Sequence, residues 1–126
     1  MKSVVLGGAL LLSSCAFSNS VQAPGSYEVR KDGVHETLAL NADGRYMLTS
    51  TVEGQPPQRH SGNWELSSVS GRCQRIIFEN FTSQLADQGR LYVRAGEDWS
   101  TCIERSLLGR TQIVIDADAG TYYVRQ

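Results

Sequence analysis

Three cysteines, two histidines and a few clustered acids carry the reactive chemistry of this chain. Cys15 sits just behind an apolar run at residues 4–12, whereas Cys73 and Cys102 lie far down the chain, about 30 residues apart. Neither of the latter belongs to a C-x-x-C pair and neither has a histidine nearby, so a structural disulfide is expected rather than a redox or metal site. Such a bridge is worth roughly 3–4 kcal/mol in the chain-entropy account. His35 and His60 would each need a positioned nucleophile and an orienting acid to act as a general base, and no G-x-S-x-G is present. A zinc site across the two lacks a third ligand. Asp116 and Asp118 before Gly120 imitate a piece of a calcium loop, but that loop needs flanking helices, and a plain turn is the expected reading. Glu97-Asp98 and Glu104 around Trp99 imitate a glycosidase acid pair, although solvated loop charges are far commoner. No catalytic residue, metal or cofactor is expected.

A binding surface is the stronger expectation. If Tyr122 points inward, its neighbour Tyr123 points outward, and Tyr92 does the same if Leu91 and Val93 face a core. With Arg94 and Arg125 beside them, Tyr92 and Tyr123 would form a strip of the residue types enriched at interaction hot spots. Exposed Tyr–Arg pairs also stabilise sheets with no partner present, and that reading stays open.

The elements that must position these residues are strands. Leu38 and Leu40 share a face, Asn41-Ala42-Asp43-Gly44 turns the chain, and Tyr46, Leu48 and Val52 alternate with polar neighbours. Residues 37–53 therefore predict a β-hairpin. Residues 59–66 (Trp64 and Leu66 inward), 73–78 (Ile76 and Phe78 inward), 89–94, 99–108, 111–116 and 122–124 (Tyr122 and Val124 inward) complete about eight strands. Residues 82–88 are polar, with room for a helical turn. Turns every 8–12 residues predict an all-β fold, a single small antiparallel barrel or meander. The chain has 126 residues and a net charge of −1. That is one domain, without the basic excess of a nucleic-acid binder.

The N-terminus reads as a targeting segment. Lys2 precedes the nine apolar residues 4–12, too few to span a bilayer, and Leu12-Ser13-Ser14-Cys15 follows at once. This stretch resembles the lipobox of bacterial lipoproteins. The resemblance implies a signal peptide at residues 1–14, cleavage before Cys15, a diacylglyceryl thioether on its sulfur and, in Gram-negative bacteria, an N-linked acyl chain such as palmitate. Ala16 at the second mature position goes with outer-membrane delivery in that class, facing the periplasm. The alternative is an ordinary secretory signal cut after Val21-Gln22-Ala23. Residues 15–25 would then be lipidated Cys and tether, and residues 26–126 the barrel domain.

The run L-A-L-N-A-D-G-R-Y from Leu38 to Tyr46, followed by S-G-N-W-E-L from Ser61 to Leu66, resembles small bacterial lipocalin-like and META-like barrels. There a D-G turn joins two strands and a Gly-x-Trp begins the next. The resemblance implies fold and compartment and transfers no metal role. The expected function is a non-catalytic envelope binding module, anchored to the membrane, for another envelope protein or an apolar ligand. An inhibitor or immunity protein acting on an envelope hydrolase, with loops 54–59 and 82–89 as plugs, is a second reading. A carrier of lipid or another small apolar ligand is a third.

Overall fold

The computed structural model describes residues 22–87 and 96–126. Eight strands run in sequence order and close on themselves: β1 (Gly25–Lys31), β2 (Val34–Leu40), β3 (Arg45–Val52), β4 (Gln58–Ser70), β5 (Cys73–Phe81), β6 (Glu97–Arg105), β7 (Thr111–Asp116) and β8 (Thr121–Arg125). Every neighbouring pair is antiparallel, including the closing pair of β1 and β8. Closure removes the sheet edges that a small open meander would leave unpaired. One helical turn, α1 (Gln84–Asp87), follows β5. The fold class expected from strand periodicity is the one observed. The first strand differs. β1 lies in a stretch that the turn and hydropathy signals passed over, although Tyr27 and Val29 alternate there and both are buried. The strand expected at 89–94 lies outside the described residues.

Strict alternation writes the inner wall. β2 buries Val34, Glu36, Leu38 and Leu40, and β3 buries Tyr46, Leu48 and Ser50. Tyr46, Phe78, Phe81, Trp99 and Tyr123 meet inside, with ring centroids 4.8–6.2 Å apart along the chain of contacts. Aromatic pairs at such separations add to the stabilisation from burial alone. The Gly-x-Trp signature has a packing cause. A Cβ on Gly62 would stand 2.7 Å from the Tyr46 ring and from the Glu79 carbonyl, so only glycine lets that ring lie flat on β4. Trp64 packs partly buried against the core and donates its indole N–H to the carbonyls of Asn41 and Arg45, both at 3.0 Å.

Three inward assignments, Leu66, Tyr122 and Val124, are overturned. Leu66 is 39% exposed, because β4 runs past its last β3 partner (Arg45↔Asn63) and no wall remains opposite it. Tyr122 and Tyr123 exchange faces, for Tyr123 is fully buried and Tyr122 is not. Hydropathy favours the Tyr122 and Val124 face, but register decides. Tyr123 pairs with the buried Ile113 on β7, and its hydroxyl finds an acceptor inside. Strand β6 also ends at Arg105, so Leu107 and Leu108 fall in a turn rather than in the strand expected over 99–108.

Cys73 and Cys102 are disulfide-bonded, with Cα atoms 5.1 Å apart. The bridge ties the root of β5 to β6, where Arg75 stands opposite Cys102. It therefore staples the two strands that flank the long β5–β6 connection.

Candidate functional site

Antiparallel order sorts the connections onto two ends of the barrel. The entry end holds residues 22–24, the turns at 41–44, 71–72 and 106–110, and Gln126. The far end holds the turns at 32–33, 53–57 and 117–120 and the start of the β5–β6 connection with α1.

The far end is built around Glu36. Its side chain is completely buried on β2. One carboxyl oxygen accepts hydrogen bonds from the Tyr123 hydroxyl at 2.6 Å and the Ser83 hydroxyl at 2.7 Å. The other accepts from the Ser50 hydroxyl at 2.6 Å and the Gln84 backbone N–H at 2.9 Å. Four donors are what two carboxyl oxygens can take. This group therefore joins β2, β3, β8 and the α1 segment and has no lone pair to offer a substrate. Ser83 also caps α1, accepting from the Leu85 N–H at 3.1 Å. That turn drives Leu85 fully into the core as a stopper. Burial, reinforced by Glu36, pushes the Tyr123 hydroxyl far above its ordinary pKa, so it stays a donor. Period two had already put Glu36 on the same face as Leu38 and Leu40. That was the available signal for a buried acid, and it was missed.

The entry end is closed by the chain itself. Ala23 is buried, and the Tyr27 hydroxyl donates to its carbonyl at 2.6 Å. Arg125 lies over the Tyr27 ring with its guanidinium carbon 6.0 Å from the centroid, and donates to the carbonyls of Pro24, at 2.8 Å, and of Gln22. Beside this clamp opens a surface cleft of about 460 Å³ whose walls include Gln22, Arg105, Leu108 and Arg110. Ser106 fixes the turn there: its N–H donates to the Arg110 carbonyl at 2.8 Å, and its own carbonyl accepts from the Gly109 N–H at 2.9 Å. Leu107 and Leu108 occupy the two central positions, with Gly109 at φ 82° behind them.

The candidate residues are thus dispersed. Tyr123 is buried, so it forms no outer strip with Arg125, which is itself engaged by the backbone of residues 22–24. Tyr92, Arg94 and Cys15 lie outside the described residues. His35 pairs with Glu28 at 2.9 Å, a hydrogen bond that lowers the Glu28 pKa. His60 bonds to the Asn80 carbonyl. The Asp116 carboxyl accepts from the Ala119 N–H at 3.2 Å, as a turn acid does, and Asp98 accepts from the Asn80 N–H at 3.1 Å. Among the described residues no three metal-ligating side chains gather. Compared with known proteins, the chain matches no family model, no curated protein and no solved structure.

Proposed function

We propose that the chain is a bacterial envelope lipoprotein, anchored through acyl chains on Cys15, whose barrel is a non-catalytic module that binds a partner protein on its outer surface. One observation carries the outer-surface part. The interior is filled by the chain's own side chains, from Ala23 at one end through the aromatic cluster to Leu85 and the Glu36 network at the other. A lipid carrier needs an enclosed space of several hundred Å³, and here six large aromatic rings, counting Tyr27, occupy the place where it would lie. The anchor rests on the Leu12–Cys15 stretch and the outer-membrane, periplasm-facing location on Ala16 behind it, and the disulfide suits an oxidising compartment.

The inhibitor reading keeps a specific support. Thr82–Leu85 turns inward, with Ser83 and Leu85 buried, and so does not serve as a plug. The 54–59 loop stays exposed, and the β4–β5 hairpin projects past β3, carries Leu66 and the 65% exposed Val69, and is tied next to its turn to β6 by the Cys73–Cys102 bridge. A projection held rigid in this way loses little freedom on entering a partner's cleft.

Native mass spectrometry of the protein drawn from its own membrane fraction in mild detergent tests the proposal. The expected result is a mature mass starting at Cys15, plus acyl chains and minus two hydrogens, with a protein-sized adduct. A mass starting at Pro24 overturns the anchor, and a lipid-sized adduct in place of a protein one overturns the outer-surface reading in favour of a carrier.

A further inference from the structure

Turn positions 107 and 108 run against turn chemistry. Central turn positions favour Asp, Asn, Gly and Pro, and each of the other short turns of this barrel has at least one of them, as in Asp32-Gly33, Ala42-Asp43, Glu53-Gly54, Gly71-Arg72 and Asp118-Ala119. Here two leucines stand at 89% and 96% exposure, on a turn that Ser106 holds from both sides. They are not part of the core.

Their surroundings say what covers them. Arg105 and Arg110 flank the leucines, and Arg72 tips the neighbouring turn on the same end. The acid in the entry-end turns is Asp43, whose carboxyl is taken by the Arg45 N–H at 3.0 Å. An apolar tip ringed by arginines is the pattern of a surface that inserts shallowly among anionic headgroups. The far end is predominantly acidic, with Asp32, Glu53, Asp116, Asp118, Glu97 and Asp98 in or beside its turns against Lys31 and Arg59. Gln22, where the chain arrives, lines the same cleft as Leu108, Arg105 and Arg110. Six residues lie between Cys15 and Gln22, a reach of at most about 25 Å. An anchor at Cys15 therefore keeps this end within that distance of the bilayer.

We infer that the entry end is a membrane-contact face. Leu107 and Leu108 enter the interface of an anionic bilayer, and Arg105, Arg110 and Arg72 meet its phosphates. The inference rests on the anchor reading for its orientation and adds to it that the barrel lies down on the membrane, leaving the acidic end outward for a partner.

The test separates the two readings by supplying the anchor chemically. With Cys73 and Cys102 oxidised, Cys15 is the free thiol, and the chain from residue 15 onward is coupled through it to a maleimide lipid. The vesicles contain phosphatidylglycerol and phosphatidylethanolamine with brominated acyl chains. Bromine quenching is read for Leu108→Trp and for Gln55→Trp at the far end, against the parent chain with Trp64 and Trp99. Quenching at position 108 at least fivefold above that at position 55, with loss of most of it in an Arg105→Gln/Arg110→Gln background, is expected. Equal quenching at both positions overturns the inference. So does quenching that the arginine changes leave untouched. A concentration-dependent blue shift at position 108 without quenching also overturns it, and assigns the leucines to a second copy of the chain. Failure of radiolabelled palmitate to enter the unmodified protein, or its equal entry into the Cys15→Ser variant, would strike the anchor reading alone.

Discussion

The two ends of this barrel solve the same problem with different materials. Both must stop the interior from opening to water. The entry end is closed by backbone: the carbonyls of residues 22–24 are gathered by Tyr27 and Arg125, and only Ala23 goes in. The far end is closed by side chains. Leu85 goes in, and the polar atoms that follow it are satisfied by Glu36. A buried carboxyl is costly unless every lone pair is used, so the far closure is all-or-none in a way the entry closure is not. The difference also shows outside. The entry rim spends apolar and basic residues where the fold does not need them, while the far rim carries the acids.

Glu36→Ala tests that contrast most severely. It leaves the hydroxyls of Ser50, Ser83 and Tyr123 without their acceptor in a dry site and frees the Gln84 N–H. A loss of about 3–5 kcal/mol in urea unfolding is expected, with faster amide exchange at residues 83–85 than at residues 25–29. Equal acceleration at both ends would show that the ends are not independent closures.

Removing the staple ranks next. Cys73→Ala/Cys102→Ala opens a loop with a sequence separation of 29, for an expected loss of about 3–4 kcal/mol. The loss arises in the unfolded chain, so it should leave the contrast between the ends in amide exchange unchanged.

A pH experiment sharpens the comparison further. Burial, helped by Asp98 and Glu79, pushes the Tyr46 hydroxyl up to about 12. The folded value lies above the unfolded one, so Tyr46 contributes stability that is complete below pH 10 and is lost between about pH 10 and 12. In Tyr46→Phe that part of the alkaline decline should vanish in a pH series of thermal melts, after a constant offset of about 1 kcal/mol for the hydrogen bond to the Glu79 carbonyl. Tyr123, raised by deeper burial and by Glu36, leaves a residual alkaline decline in that variant.

How much of this was legible in the sequence follows from what fixes each feature. The hairpin at β2–β3, the inward Tyr46 and Phe78 and the cysteine pairing rest on local alternation, a D-G turn and a two-thiol count, and they read through. Tyr122 and Tyr123 did not, because in a five-residue strand with apolar groups on both faces the phase is set by a partner strand and a distant acceptor. Phe78 and Phe81, three apart and both buried, break period two because Asn80 bulges at φ 52°. The Glu36 centre draws its donors from residues 50, 83, 84 and 123, so only the acid's place in the β2 alternation was visible beforehand. At the entry rim, the exposure of Leu107 and Leu108 depended on where β6 stopped, which Ser106 decides through hydrogen bonds.

The smallest expected effect is the most telling about that rim. Leu107→Ser/Leu108→Ser exchanges two residues already exposed to water in the folded state, at positions where a turn accepts polar side chains readily. Its change in unfolding free energy should stay within about 0.5 kcal/mol, measured in urea. A larger loss would mean that the leucines cover the mouth of the barrel, and the two ends would then be closed by like means. A null result, set beside several kcal/mol for Glu36, would place the cause of the two leucines outside folding. In an isolated barrel they gain nothing from water, and the membrane face proposed for this rim is where burying them would be favourable.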